Sequence, residues 1–358
     1  MACELSMSQE YPGPDTLAFA LGPPVCTAGF KQELADFRVI EDLGFELTGH
    51  GEHLCVQVRK AGMTTPELVR MLARIADVRE HDIGFAGLKD RQGICTQWFS
   101  IYLPLEIELD FSMLSTAGVE LLQCVRNSRK IRRGSHRRNL FQIRLRGVDS
   151  PAHHAGIERR LEAIAKDGVP NYFGAQRFGY NNSNVASADR LFSGHLRLNR
   201  GFKRGMLISA ARSFLFNELL SRRVELANWN RYIDGDVMNL SGTDSVFVPE
   251  SWDGTLEQRL GEGDIHPTGP LWGEGILRSS DDVLALEQEL RSSFEVLCLG
   301  LETAKVQQAR RSLRLTVADL CWQWSGEDDL ELMFALPPGT YATAVLRELC
   351  ILNEARIV

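Results

Sequence analysis

No stretch of this 358-residue chain approaches the roughly 18 uninterrupted apolar residues that a membrane-spanning helix needs, so no membrane association is expected. Residues 1–27 lack a charged start followed by an apolar core. A secretory leader is therefore not expected, and a cytoplasmic location is. The eight cysteines include no CxxC pair, which speaks against a zinc cage and against a disulfide framework. The eight histidines are equally dispersed, and His153-His154 reads as a solvated helix start rather than a metal pair. There is no internal repeat, low-complexity tract or Gly-rich nucleotide-binding loop. No metal and no cofactor are expected.

Acid is missing from one place in particular. Residues 121–148 hold nine Arg or Lys and no Asp or Glu, although the whole chain carries a net charge of −7. Acid collects instead in residues 225–302, where 16 acidic and 4 basic side chains give −12 and leave +5 for the rest. Such segregation is what steering of a polyanion requires. With 44% hydrophobic and 24% charged residues, the length suffices for two domains with separate cores.

Strands alternating at period two are expected at Phe37–Glu41, Leu54–Arg59, Trp98–Leu103, Asn139–Arg146 and Leu330–Leu336. Thr65-Pro66-Glu67 reads as a helix start, with Thr65 as N-cap and Pro66 first in the helix. Helices are also expected over Ile157–Ile164, closed by Gly168, over Leu207–Leu226, on either side of Gly300, and at the end of the chain. The acidic region is rich in Gly, Pro and Ser, as in Gly261–Leu271. A middle region differing in charge and structure from its flanks suggests one domain inserted into another.

The segment Phe85-Ala-Gly-Leu-Lys-Asp-Arg-Gln places Asp90 between Lys89 and Arg91, after a small-residue turn. Neighbouring cations favour the ionised carboxylate, which can act as nucleophile or proton acceptor. The plain alternative is a solvated charged turn, but Phe85, Leu88, Trp98 and Phe99 are too apolar for an idle surface loop. Seven of the thirteen residues 126–138 are basic: Arg126, Arg129, Lys130, Arg132, Arg133, Arg137 and Arg138. Guanidinium forks match phosphate oxygens, so this stretch is read as binding a phosphate backbone rather than as a solvated loop, which would interleave acids. Asn139 and Phe141 share one face of a strand and offer an amide to a base edge and a ring for stacking. On periodicity alone Phe141 is a core ring. Phe37 and Tyr341, single aromatics beside turns, read as core rings, although the turn Pro337-Pro-Gly-Thr could instead present the Tyr341 ring to a ligand. The turn region Asn171–Asn182 is either a domain-joining loop or an RNA-facing hinge.

These segments together resemble the TruD family of tRNA pseudouridine synthases across nearly the whole chain. The matching residues are Asp36-Phe37, Gly51-Glu-His53, Ala86–Arg91, Asn139–Phe141, Val169–Gly179, Ser209–Ser213, Phe216-Asn217, Leu336–Thr343 and Arg347-Glu348. The resemblance implies an α/β (α+β) fold. Its pseudouridine synthase catalytic domain, on a mixed and mainly antiparallel sheet, would comprise residues 1–164 and 316–358. An α/β domain of the family's own, residues 165–315, would interrupt it and give a V shape with an RNA cleft. Asp90 would then be the catalytic residue, while Phe37, Asn139 and Tyr341 contact the target uridine. The family carries Phe or Tyr at the last position, so the Tyr341 hydroxyl is dispensable on this reading. Phe141 would lie against the base, and Lys89, Arg91 and Glu52 would support the site. The implied reaction converts uridine to pseudouridine in tRNA, at position 13 of the D-arm for the bacterial branch, by a monomeric enzyme.

Two other classes stay open on the residues alone. One is an RNA-binding protein that kept the cleft but lost turnover. The other is a glycosidase-like hydrolase, which would need a second carboxylate such as Glu52 brought to Asp90 by folding.

Overall fold

In the computed structural model, which describes residues 11–104, 107–148 and 153–354, the chain separates into two units. One comprises Pro24–Ala165, Val317–Ala342 and the described part of Leu349–Val358. The other comprises Lys166–Thr316 with Thr343–Glu348 and the described part of Met1–Pro23.

The first unit is built on a large sheet. Its early strands are β1 (Thr27–Phe30), β2 (Phe37–Asp42), β3 (His53–Ala61), β4 (Ile83–Phe85), β5 (Ile94–Tyr102), β6 (Glu120–Asn127) and β7 (Arg138–Leu145). β1 stands apart, pairing in parallel with the strand Ile351–Glu354. The other six join the strands Ala318–Ser325 and Asp329–Leu336 in an eight-stranded sheet. Within that sheet only β2 and β5 run parallel; the other described pairings are antiparallel. The mixed, mainly antiparallel sheet expected from the sequence is therefore present.

Both faces of β5 are covered, so it reads as a continuous buried run rather than an alternation. On one face, helix α1 (Thr65–Ala76) lays Leu68, Leu72 and Ala73 against Val56, Val58, Phe99 and Ile101. On the other, Trp98 and Cys55 pack with Leu43, Ala86 and Ile131. The N-cap of α1 is Thr64 rather than Thr65. Thr64 forms a reciprocal capping box with Glu67, which moves Pro66 to the second helical position. The shift releases the Thr65 hydroxyl for the site described below. His154 likewise departs from a solvated helix start, because its ring stacks on Trp324 at 3.5 Å.

The second unit surrounds a long helix, Phe202–Glu225, with shorter helices at Ser183–Phe192, Asp281–Ser293 and Glu295–Thr303. Gly300 lies inside the last of these, where its missing side chain admits the Phe192 ring. A four-stranded sheet includes Ile265–Leu271, a buried strand despite Pro267 and Pro270. The prolines lack donors but keep their carbonyls, and Pro267 O accepts from Leu313 N at 2.9 Å. Two buried ion pairs fix this unit: Arg223–Asp236 at 2.9 Å and Arg310–Glu287 at 2.7 Å.

Candidate active site

Asp90 sits in the loop between β4 and β5, its side chain 41% exposed. The cation that faces its carboxylate is neither of its sequence neighbours. Lys31 Nζ lies 3.1 Å from Asp90 Oδ2, on a side chain only 3% exposed. Lys31 directly follows β1 in the left-handed region, with φ 52°. The β1 register pairs Phe30 with Glu354, whose Oε1 stands 3.6 Å from the same ammonium. That ammonium also lies over the rings of Phe37 at 4.3 Å and Phe30 at 5.1 Å. Two aromatic faces and two carboxylates replace the water that Lys31 loses on burial.

The main chain at Asp90 is held as well. The buried Lys60 ammonium donates to Asp90 O at 3.0 Å and to Met63 O. Burial pushes the Lys60 ammonium below the ordinary lysine range. Asp90 Oδ1 has no hydrogen-bond partner among the described residues, so one oxygen is anchored and one is available.

Lys89 and Arg91 are engaged by other partners. Lys89 Nζ lies 2.8 Å from both Glu41 Oε2 and Asn139 Oδ1. Arg91 reaches Glu67 at 2.6 Å and Gly62 O at 3.1 Å. The reading that these two neighbours hold the Asp90 carboxylate is corrected to Lys31. Lys89 acts on Asn139 instead, and its own main chain is fixed by donation from Lys89 N to Thr65 Oγ1 at 2.9 Å. Thr65 in turn donates to Gln97, whose amide donates to Gly87 O at 2.6 Å.

The Asn139 amide is oriented at both ends. Oδ1 accepts from Lys89, and Nδ2 lies 3.0 Å from His136 Nε2. Burial, with Lys89 nearby, pushes the His136 pKa down to about 4, so the ring is neutral near pH 7 and Nε2 can accept. One lone pair and one N–H of the amide remain for a base edge.

Phe37 and Phe141 are buried, 6.0 Å apart, and Phe141 stacks on Phe334 at 5.4 Å. Both rings are therefore core elements directly behind the site, and Phe37 is the bed of Lys31. Tyr341 is half-buried, after a turn closed by Thr340 Oγ1 donating to Pro337 O at 2.7 Å.

The basic stretch divides by environment. Arg129, Arg132, Arg133 and Arg137 are exposed, and the Arg133 guanidinium also lies over the Phe85 ring at 4.0 Å. Arg126 donates to Leu103 O and Lys130 to His81 O. Arg138 is paired with Asp42 at 2.9 Å and Asp319 at 2.7 Å. Glu52 is exposed just before β3, while Lys60, which touches Asp90, lies near the other end of that strand. Eight residues of extended chain span about 26 Å, so Glu52 and Asp90 are not brought together.

Lys31, Lys60, Glu41 and His136 do not stand out as site residues in the sequence. Two of them nonetheless carry a signal there. Glu41 follows Phe37 and Val39, and Lys60 follows Val56 and Val58, on the buried phase of their strands. A charge on an inward phase has to be paired there.

The site thus combines a half-exposed carboxylate anchored on a buried ammonium with a segment, residues 121–148, that carries nine Arg or Lys and no acid. The family model described as tRNA pseudouridine synthase D (TruD) matches residues 16–188 and 185–349. A tRNA pseudouridine synthase D of Xanthomonas campestris pv. campestris (strain 8004) is 44% identical over 353 residues, covering 94% of this chain and 95% of that protein. One from Nitrosococcus oceani is 43% identical over 355 residues, with 98% of each chain covered. A solved structure described as a putative TruD from Methanosarcina mazei covers 92% of this chain and 95% of its own, with a TM-score of 0.71. At 21% identity it shows the common fold. The chain belongs to the TruD family of tRNA pseudouridine synthases. No described helix is long and apolar enough to cross a membrane.

Proposed function

We propose that Asp90 carries the chemistry by which this enzyme isomerises uridine to pseudouridine in tRNA. The observation that supports this reading is the half-exposed carboxylate held through one oxygen by Lys31. In the reaction the N1–C1′ bond breaks, uracil turns within the site, and C5 bonds to C1′ with loss of the C5 hydrogen. Asp90 Oδ1 attacks C1′, removes a proton from C2′, or adds to C6 of uracil; each route uses the same unpaired oxygen. The base leaves its stack to reach it, and the remaining hydrogen-bonding positions of Asn139 bind its edge. Tyr341, at the turn before the short helix, supplies a ring for the flipped base, and Phe37 and Phe141 hold the floor in place. Arg129, Arg132 and Arg137 supply charge for the phosphates. The target is uridine 13 of the D-arm, and the enzyme works as a cytoplasmic monomer in which residues 165–315 form the inserted domain.

The test is release of tritium from tRNA labelled at uridine C5. Wild type releases it; Asp90→Asn releases none while still binding tRNA. Binding by wild type without release would reduce the protein to an RNA-binding role. Pseudouridine sequencing of tRNA from a deletion strain decides the position.

A further inference from the structure

We infer that the hollow beside the first residue of β3 is a second RNA subsite, taking an unpaired nucleobase from the strand that carries the target uridine. The inference rests on the tRNA reading above. The hollow has a volume of ≈ 900 Å³, and its walls include Phe45, His53, Asn127, Arg129, Lys130 and Arg132. It stands well away from the reacting carboxylate. From His53 to Lys60, which holds the Asp90 main chain, β3 runs about 23 Å.

A single segment connects the two places. Residues 127–139 leave the hollow at Asn127 and pass Gly84, where an added Cβ would meet Ile131 O at 2.3 Å. They then pass Ala86, whose carbonyl accepts from Gly134 N at 2.8 Å, and end at Asn139 beside Lys89. Six of the seven basic residues of 126–138 lie on this segment. A strand whose flipped uridine sits at Asp90 would follow these cations and reach the hollow several nucleotides away.

The hollow is built rather than incidental. The loop that carries Phe45 is tied to the segment's start by Thr48 N donating to Asn127 Oδ1 at 3.1 Å. Ser128 N donates to Thr48 Oγ1 at 3.0 Å, and Gly49 N to Arg126 O at 3.0 Å. Gly51, at φ +111°, comes so close that a Cβ would stand 2.6 Å from Ser128 Cα. These ties hold Phe45 at the rim with 46% of its surface in water. An exposed ring fixed beside arginines is a stacking face for a base with phosphates on either side.

Charge selects this hollow over its neighbour. A second hollow of ≈ 660 Å³ shares Phe45, but Glu41, Asp42 and Glu46 line it against Arg137 alone. In the first hollow Glu46 faces Arg129, Lys130 and Arg132. A polyanion fits the first and is repelled by the second.

The experiment uses the full chain and tRNA transcripts, each carrying one abasic nucleotide, with dissociation constants measured directly. Phe45→Ala should weaken binding of intact tRNA roughly tenfold, as loss of one stacked base does, with kcat at saturation within about twofold. Phe45→Trp should retain the wild-type constant. One abasic position away from the target should cost as much as Phe45→Ala and add nothing to it. Unchanged binding by Phe45→Ala, or full additivity at every abasic position, would overturn the subsite. Because the readout is binding, it decides the subsite even if wild type releases no tritium, an outcome that would overturn only the proposed reaction.

Discussion

Lys31 and Asp90 lie 59 positions apart in the chain, yet Nζ of one is 3.1 Å from Oδ2 of the other. The lysine is buried and the aspartate half-exposed, so a rigid internal cation faces a carboxylate at the surface. Burial strengthens that field relative to water.

Replacing Lys31 by Met removes the charge while keeping an unbranched chain over Phe30 and Phe37. We expect the single-turnover rate at saturating tRNA to fall about 10²–10³-fold, the usual cost of removing one preorganised electrostatic interaction. Lys31→Arg should retain part of the rate. A Lys31→Met rate close to that of wild type would remove the pair from the mechanism.

Glu41→Gln leaves Lys89 buried without its carboxylate, since the side chains are 6% and 0% exposed. Breaking a buried pair from one side costs about 3–5 kcal/mol. Urea unfolding should show that loss, and the double variant Glu41→Gln, Lys89→Met should recover most of it. Asn139 would then lose its donor at Oδ1, so activity should stay low in the double variant even with stability restored.

Arg132 and Arg138 should separate in a salt titration of tRNA binding. Removing a cation that neutralises one phosphate lowers the slope of log K against log salt by about 0.7–0.9. Arg132→Ala should do so, because its side chain is exposed. Arg138 is already paired with Asp42 and Asp319, so Arg138→Ala should change the slope less. Equal effects would show that the two carboxylates do not compete with RNA.

His136 predicts a specific acid sensitivity. Its folded pKa, about 4, lies below the ordinary 6.5, so between those values the unfolded chain binds a proton that the folded chain refuses. The contribution is complete above about 6.5 and is lost as pH falls towards 4, with a magnitude on the order of 3 kcal/mol. His136→Gln should flatten this part of the stability profile. His266, buried in the other unit and also pushed down to about 4, should keep its own share of the same window. An unchanged profile in His136→Gln would count against a neutral buried ring.

Much of this protein was legible without coordinates. The strands around Val39, Val56 and Ile143 show themselves by alternation, and α1 by its threonine, proline and glutamate. Boundaries moved by a few residues: Thr64 rather than Thr65 capped α1, the strand expected from Trp98 begins at Ile94, and the helix expected from Leu207 begins at Phe202. The strand Ile265–Leu271 was hidden because its two prolines mimic a loop, and only its partners Met238–Leu240 and Ala309–Ser312 make it a strand. Asp90, Asn139 and the basic residues 126–138 were identifiable as a set from motif and composition.

The wiring of the site was not. Neighbours in sequence suggested that Lys89 and Arg91 hold Asp90, but Glu41 and Glu67 take them instead. The true counterion comes from the end of β1, set there by pairing with residues 351–354 at the other end of the chain. That Arg138 is already paired was likewise decided in space, because Asp42 and Asp319 both reach it. The Asp90 and Asn139 motifs, the alternation of the strands and the inward charges Glu41 and Lys60 follow from the order of amino acids. Which charge meets which follows from tertiary pairing, because electrostatic interaction depends on distance through space and on burial.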